Sequence, residues 1–190
     1  RALGASAMYA YQLHNMQVVA DANGWTRFSS MQNHYNLLYR EDEREMIPVC
    51  RQYSMSLTPY SPLASGHLTR PTWDSASVRS TTDATMRSKY DAEREADMPI
   101  VERVASLAQR YGVAMADVAL AWHWAKGVAA PIVGCSCPSR VDDAVRALDL
   151  KLTEEDVAFL EEPYTPHELV GLLARPGEGA LAGSKTERKS

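Results

Sequence analysis

Four short stretches hold residue types that could meet a small molecule. They are Gly4-Ala5-Ser6, Met31-Gln32-Asn33-His34, Tyr60-Ser61-Pro62-Leu63 with Ser65 and Gly66 just beyond, and Gly134-Cys135-Ser136-Cys137-Pro138-Ser139-Arg140. Each follows a short stretch that reads as a strand. Between them they offer a hydroxyl (Ser6), an amide (Gln32), an aromatic ring (Tyr60) and a Gly/Ser turn that enters a helix carrying Arg140. A tyrosine face stacks on a flat heterocycle. A helix start attracts phosphate through its free N–H groups and dipole, and Arg140 in the first turn adds a charge-assisted contact. An amide-reading Gln, a stacking Tyr and a phosphate-reading helix start together fit a dinucleotide better than any one of them alone. The GxGxxG fingerprint is absent, which argues against a Rossmann-type site.

Each residue has a plainer alternative. Ser6 can cap the helix that follows it, Gln32 can satisfy buried backbone groups, Tyr60 can fill the core, and the Gly134–Arg140 turn can be an N-cap and nothing more. No Ser-His-Asp ordering and no GxSxG elbow is present. His34 and His67 lie near strand ends without an evident partner, so packing or surface roles suit them better than general-acid roles. No catalytic centre assembles from these residues alone. Cys135-Ser136-Cys137 lacks structural-zinc spacing, and the five histidines show no ligand pattern, so no metal site is expected.

The elements that must position these groups alternate. Residues 1–6 read as the tail of a buried strand, and Met8 to Asn23 as a helix stopped by Gly24, with Tyr11, Met16, Val19 and Ala20 able to share a broad face. Arg27 to Gln32 reads as a strand, Glu41 to Tyr53 as a helix interrupted near Pro48, and Met55 to Tyr60 as a strand. Pro59, Pro62, Ser61, Ser65 and Gly66 then open a long loop. Arg70 to Ala96 reads as a mobile surface insertion with a short helical piece near Met86 to Glu95. Two helices follow, ending at Gly112 and near Lys126. A buried strand is expected at Ala130 to Gly134. Next comes a helix started by Pro138 with Val141, Ala144, Val145 and Leu148 on one face. A last helix runs from the Thr153 N-cap to Glu161. Beyond Pro163 the chain reads as irregular, with residues 171–190 as a disordered tail. The alternation predicts α/β architecture with parallel strands: a small doubly wound sheet or half of a barrel. Ligands of such folds gather at the C-terminal ends of the strands.

The chain has 190 residues, 45% hydrophobic and 23% charged, which suits one soluble globular domain. A net charge of -4 argues against electrostatic binding of nucleic acid or of anionic membranes. Three cysteines without a disulfide framework suit a reducing compartment, and a cytoplasmic location is expected. No apolar run approaches the ~18 residues of a membrane span, and no signal peptide is visible. Arg1 in place of Met suggests a natural start further upstream.

At its four strand ends the chain resembles the C-terminal half of the aldo-keto reductases. The matching stretches are Leu3-Gly4-Ala5-Ser6, the run from Ser30 to Leu38, the run from Tyr60 to Thr69, and Pro131-Ile132-Val133-Gly134 with its helix. The ending Pro163-Tyr164-Thr165-Pro166-His167 is similar to that of a bacterial and fungal subgroup. The likeness covers nearly all of residues 1–170, the partial reductase domain. It implies strands 5–8 of a (β/α)8 barrel and NADPH as cofactor. Ser6 and Gln32 would hold the nicotinamide carboxamide and Tyr60 would stack on its ring. Ser61, Leu63 and Gly66 would line the pyrophosphate path. Gly134, Ser136 and Arg140 would hold the adenosine-side phosphate, and Asp143 the adenine. Ala7 and Ala144 stand where the family commonly has Asn.

The family's catalytic Asp, Tyr, Lys and His lie in its first half and have no counterpart here. The resemblance therefore implies a truncated, NADPH-dependent oxidoreductase, inactive alone, whose intact parent reduces aldehydes or ketones. A non-catalytic half-barrel module that self-associates through its open edges is the alternative. A different α/β nucleotide binder sharing local motifs is a weaker one.

Overall fold

The computed structural model describes residues 1–73, 90–170 and 173. A three-stranded parallel sheet forms its centre: β1 (Leu3–Ser6), β2 (Phe28–Gln32) and β3 (Ser56–Leu57), neighbours in chain order. β1 pairs with β2 so that Ala5 faces Met31 and Ser6 faces Gln32, and β2 pairs with β3 through Ser30–Ser56 and Met31–Leu57. Parallel neighbours need a crossover, and helices supply it: α1 (Ala10–Ala22) between β1 and β2, and α2 (Met46–Gln52) between β2 and β3. After β3 come α3 (Arg94–Tyr111), α4 (Met115–Ala125), α5 (Pro138–Arg146) and α6 (Glu154–Glu161). The architecture is α/β with a partial parallel sheet.

Local chemistry explains most boundaries. Gly112 closes α3 at φ 66, a conformation that costs glycine nothing. Pro138 opens α5. Thr153 caps α6: its side chain accepts from the Asp156 N–H, and the Asp156 carboxylate accepts from the Thr153 N–H at 3.1 Å.

Several expectations need correction. Ala130 to Gly134 forms no ladder strand, only a parallel bridge between Tyr60 and Ile132. The Ile132 N–H donates to Pro59 O at 2.8 Å, but Pro131 has no N–H to extend the pairing. The expected helix over Glu41–Tyr53 is split into a 3-10 turn (Glu41–Glu43) and α2, and Pro48 sits inside α2 without ending it. Regular strand at Met55–Tyr60 shrinks to Ser56–Leu57.

α1 buries Ala10, Leu13, Gln17 and Ala20; of the expected face only Ala20 is buried, while Tyr11, Met16 and Val19 are exposed. Gln17 explains the difference. Its amide donates to Phe28 O and accepts from Phe28 N, both at 3.0 Å, so a polar side chain stitches the helix to β2. Val141 and Val145 on α5, and Leu148 in the 3-10 turn Ala147–Asp149 that follows it, are exposed. Of the segment Arg70–Ala96, residues 74–89 lie outside the described residues. Residues 90–95 are helical, passing from a 3-10 turn (Asp91–Glu93) into α3. In the predicted tail, 171–190, only Leu173 is described.

The core lies between the sheet and α1 to α4, around Leu13, Met31, Leu38, Leu57, Val104, Leu107, Val118 and Trp122. Arg40 ties the far side together: it bonds Glu43 and Glu161 at 2.8 Å each, and Lys126 and Trp122 Nε1 also reach Glu161. Among the described residues no helix is long and apolar enough to cross a membrane.

Candidate functional site

The parallel register delivers three of the predicted residues to one edge. Ser6 and Gln32 end adjacent strands as register partners. Ser6 Oγ donates to Gln32 O at 3.1 Å, which leaves the hydroxyl's lone pairs as acceptors. Tyr60 lies three residues beyond β3, in a parallel bridge with His34, its N–H donating to Asn33 O at 2.9 Å. Ser6 and Gln32 are exposed and Tyr60 is half-buried. Ala7, between β1 and α1, has a positive φ of 43°, and its N–H also reaches Gln32 O.

The Tyr60 ring is held from behind. It stacks on His34 with centroids 5.2 Å apart and planes 7° apart, and His34 stacks in turn on Tyr39 at 4.2 Å and 16°. His34 Nε2 meets the Tyr90 hydroxyl at 2.8 Å. Asn36 Nδ2 bonds both Tyr90 Oη at 3.1 Å and the Ser61 carbonyl at 2.9 Å. The chain leaving Tyr60 and the chain returning at Tyr90 are thus fixed to one amide. Trp73 supports the same junction: it stacks on His67 and donates to Asp91 at 3.2 Å. Both histidines near strand ends therefore pack among aromatic rings.

Beyond Tyr60 the backbone turns sharply. Ser61, Ala64 and Ser65 have φ near +50°, and Gly66 has φ 103. A Cβ on Gly66 would lie 3.2 Å from Arg70 Nη2, so only glycine combines this conformation with this clearance. Leu63 is half-buried against the core. The fourth stretch is joined to the others by the Tyr60–Ile132 bridge. Gly134, Ser136, Arg140 and Asp143 are all exposed around the start of α5, and Asp143 is paired with Arg146 at 2.9 Å.

Two spaces border the strand ends. One, about 10 Å³, sits between Ala7, Met31, His34 and Tyr60 and holds no more than a water. The other, about 660 Å³, is lined by Met8, Tyr9, five carboxylates (Glu41, Asp42, Glu45, Glu93, Glu168), Arg44 and His167 among others, so acidic groups outnumber basic ones. That lining repels phosphate. Burial raises the Asp42 carboxyl to about 6, with Glu41 adding to the shift and the 2.8 Å bond from Asn33 opposing it. Burial, with Asp42 beside it, also raises the Tyr60 phenol.

Sequence reasoning missed Tyr39, Asn36 and Tyr90 as supports of Tyr60. The polar, aromatic run Asn33-His34-Tyr35-Asn36 was the available signal. It gave no indication of Tyr90, which arrives from 54 residues beyond Asn36.

The family model described as "Aldo/keto reductase family" matches residues 1–164. Versiconal hemiacetal acetate reductase of Aspergillus parasiticus is 44% identical over 179 residues, covering 94% of this chain and 51% of the relative. An aldo-keto reductase of Fusarium vanettenii is 45% identical over 172 residues, with 90% and 46% coverage. One of Alternaria alternata is 44% identical over 165 residues, with 86% and 44% coverage. The chain spans about half the length of the curated relatives it matches. By the extent of the family match and the level of identity, this chain belongs to the aldo/keto reductase family of oxidoreductases.

Proposed function

We propose that this chain is the cofactor-binding, C-terminal half of an NADPH-dependent aldo-keto reductase, made of about strands 5–8 of a (β/α)8 barrel. One observation carries the reading: Ser6 and Gln32 end adjacent strands and are exposed, and Tyr60, three residues beyond the end of β3, is braced by His34. The residues fit the cofactor. Ser6 accepts from and Gln32 bonds to the carboxamide, and the Tyr60 face carries the nicotinamide ring. Ser61, Leu63 and Gly66 border the pyrophosphate. Gly134, Ser136 and Arg140 take the adenosine-side phosphate. Asp143 fits least well, because Arg146 already holds its carboxylate; to reach adenine it must give up an exposed ion pair, which costs little.

Bound NADPH supplies the hydride that reduces an aldehyde or ketone in the intact enzyme. The catalytic Asp, Tyr, Lys and His belong to the half of the family that this chain does not match, so the chain binds and orients the cofactor without reducing a substrate. A cytoplasmic location follows the same reading.

Titration of the chain with NADPH, read by cofactor fluorescence, tests the proposal. Saturable binding that falls about tenfold in Tyr60→Ala is expected, from the ~0.5–1.5 kcal/mol of a ring stack plus its buried area. Absence of NADPH binding, with tight binding of an unrelated nucleotide, would overturn it. Carbonyl-dependent NADPH oxidation by the chain alone, lost on a substitution within it, would overturn the division of labour.

The exposed stripe of Val141, Val145 and Leu148, and exposed Leu3 on edge strand β1, favour a second reading as a self-associating half-barrel. Light scattering tests it: a monomer at all concentrations rules it out.

A further inference from the structure

Cys135 and Cys137 are both exposed and separated by one residue, whereas Cys50 is fully buried. In extended backbone, residues two apart present their side chains on the same side, with Cα atoms roughly 6.7 Å apart. A disulfide spans Cα separations of about 4.4–6.8 Å. The chain bends at Ser136 and Cys137. Cys137 is also the N-cap residue of the nine-residue helix α5, at φ -151 and ψ 157, next to the helix's positive end.

We propose that Cys135 and Cys137 form an oxidisable dithiol, which a hydroperoxide converts into an intramolecular disulfide that closes the anion-binding turn at Ser136. The effect on the turn rests on the cofactor reading given above; the thiol chemistry does not. In the first step the Cys137 thiolate attacks the peroxide oxygen, breaking the O–O bond to give a sulfenic acid and an alcohol, or water from hydrogen peroxide. In the second, the Cys135 sulfur displaces hydroxide from the Cys137 sulfur. The S–S bond forms and water leaves. Two thiols lose two electrons and two protons, and one peroxide accepts both.

The surroundings assign the order of attack. Ser139 Oγ lies 3.3 Å from the Cys137 sulfur and can donate to its thiolate. That contact, with the Arg140 backbone N–H, lowers the Cys137 thiol below its ordinary value. Cys50 is the opposite case: burial lifts its thiol to about 11, so it stays reduced as an internal control. Closing the disulfide pulls Cys135 and Cys137 together, draws the Cys137 sulfur off Ser139, and turns the Ser136 hydroxyl and N–H away from a bound phosphate.

The test treats the whole chain with hydrogen peroxide and reads intact mass and the tryptic peptide Gly127–Arg140, which contains both cysteines. A loss of about 2 Da within that peptide is expected, reversed by dithiothreitol, with Cys50 unchanged. Cys135→Ser should instead leave a sulfenic acid on Cys137 that dimedone traps. Two persistent thiols after peroxide, or a disulfide only between two chains, would overturn the assignment. The second arm compares NADPH affinity before and after oxidation. A loss of about tenfold, restored on reduction, supports the closing of the turn; unchanged affinity overturns it. A reduced chain that binds no NADPH overturns the cofactor reading and leaves the mass result to decide the dithiol.

Discussion

Ala7 carries a backbone strain that its own side chain does not justify. Its φ of 43° lies in the left-handed region, where an L-residue costs about 1–2 kcal/mol and Asn is better tolerated than Ala. The position follows Ser6 directly, where the resemblance to the family leads one to expect Asn. Ala7→Asn should relieve about 0.5–1 kcal/mol, raising the thermal midpoint by about 2 °C, and should tighten NADPH binding through an added amide. A lower midpoint would mean that the turn is set by packing. At the other end of the proposed site, Arg140 is exposed and lies in the first turn of α5. Arg140→Ala should weaken NADPH by about tenfold and leave NADH nearly unchanged, because only the former carries the extra phosphate. Equal losses would contradict that role. The strand-end placement of Ser6 and Gln32 was legible in the sequence because a short strand-like stretch precedes each, which is a local signal. The bracing of Tyr60 was not, because Tyr39 and Tyr90 reach His34 only through the tertiary fold.

Elements whose limits depend on neighbouring residues were read well. Gly112, Pro138 and the Thr153 cap stand where backbone conformation and unpaired N–H groups require them. Which face an element buries depends on its partner, and there the pattern did not suffice. Gln17 is buried because its amide exactly replaces water for Phe28, a pairing that hydropathy does not encode. Val141, Val145 and Leu148 are exposed because no described element packs over them. α6 allows a quantitative test. Thr153→Ala removes one cap bond and should cost about 1 kcal/mol. Asp156 does more: it is buried, accepts from the Thr153 N–H, and bonds the Tyr111 hydroxyl and the Arg110 guanidinium, tying α6 to α3. Asp156→Ala should therefore cost about 3 kcal/mol, since several donors lose a charged acceptor at once. Denaturant midpoints for the two variants compare them directly. If Asp156→Ala were no worse than Thr153→Ala, the tie between the helices would contribute nothing.

At the scale of the molecule, the alternation of strand and helix made the parallel, chain-ordered sheet legible, while the docking of the segment after Pro163 was not. That segment is irregular, yet it is held at three points. The Tyr164 hydroxyl and the His167 N–H both donate to Glu41 Oε1 at 2.8 Å, and His167 Nε2 meets Asp97 of α3 at 3.0 Å with both side chains almost fully buried. Burial disfavours the His167 cation, but Asp97, with Glu93 and Glu41 nearby, more than offsets this and raises its pKa. A raised histidine pKa contributes stability that is fully present below the unfolded value of about 6.5 and is lost as pH rises through the folded value. Burial raises Asp97 as well, and Asp42 to about 6; both act in the same direction at lower pH, between the unfolded carboxylate value and their own. His67 and His123 are lowered by burial and act oppositely, but only below 6.5. Above pH 6.5 the unfolded imidazoles are neutral, so the lowered histidines drop out and His167 is the histidine that acts. His167→Gln should cost about 3 kcal/mol near pH 6, the usual penalty for breaking a buried pair, and the gap to the unsubstituted chain should narrow toward pH 9 as the wild-type imidazolium loses its proton. Thermal midpoints of both proteins across that range measure the gap, and the exposed Cys137 thiol cancels because both contain it. Parallel curves would mean that the segment is held by Glu41 and the stacked Tyr164 ring alone, with no contribution from the charge on His167.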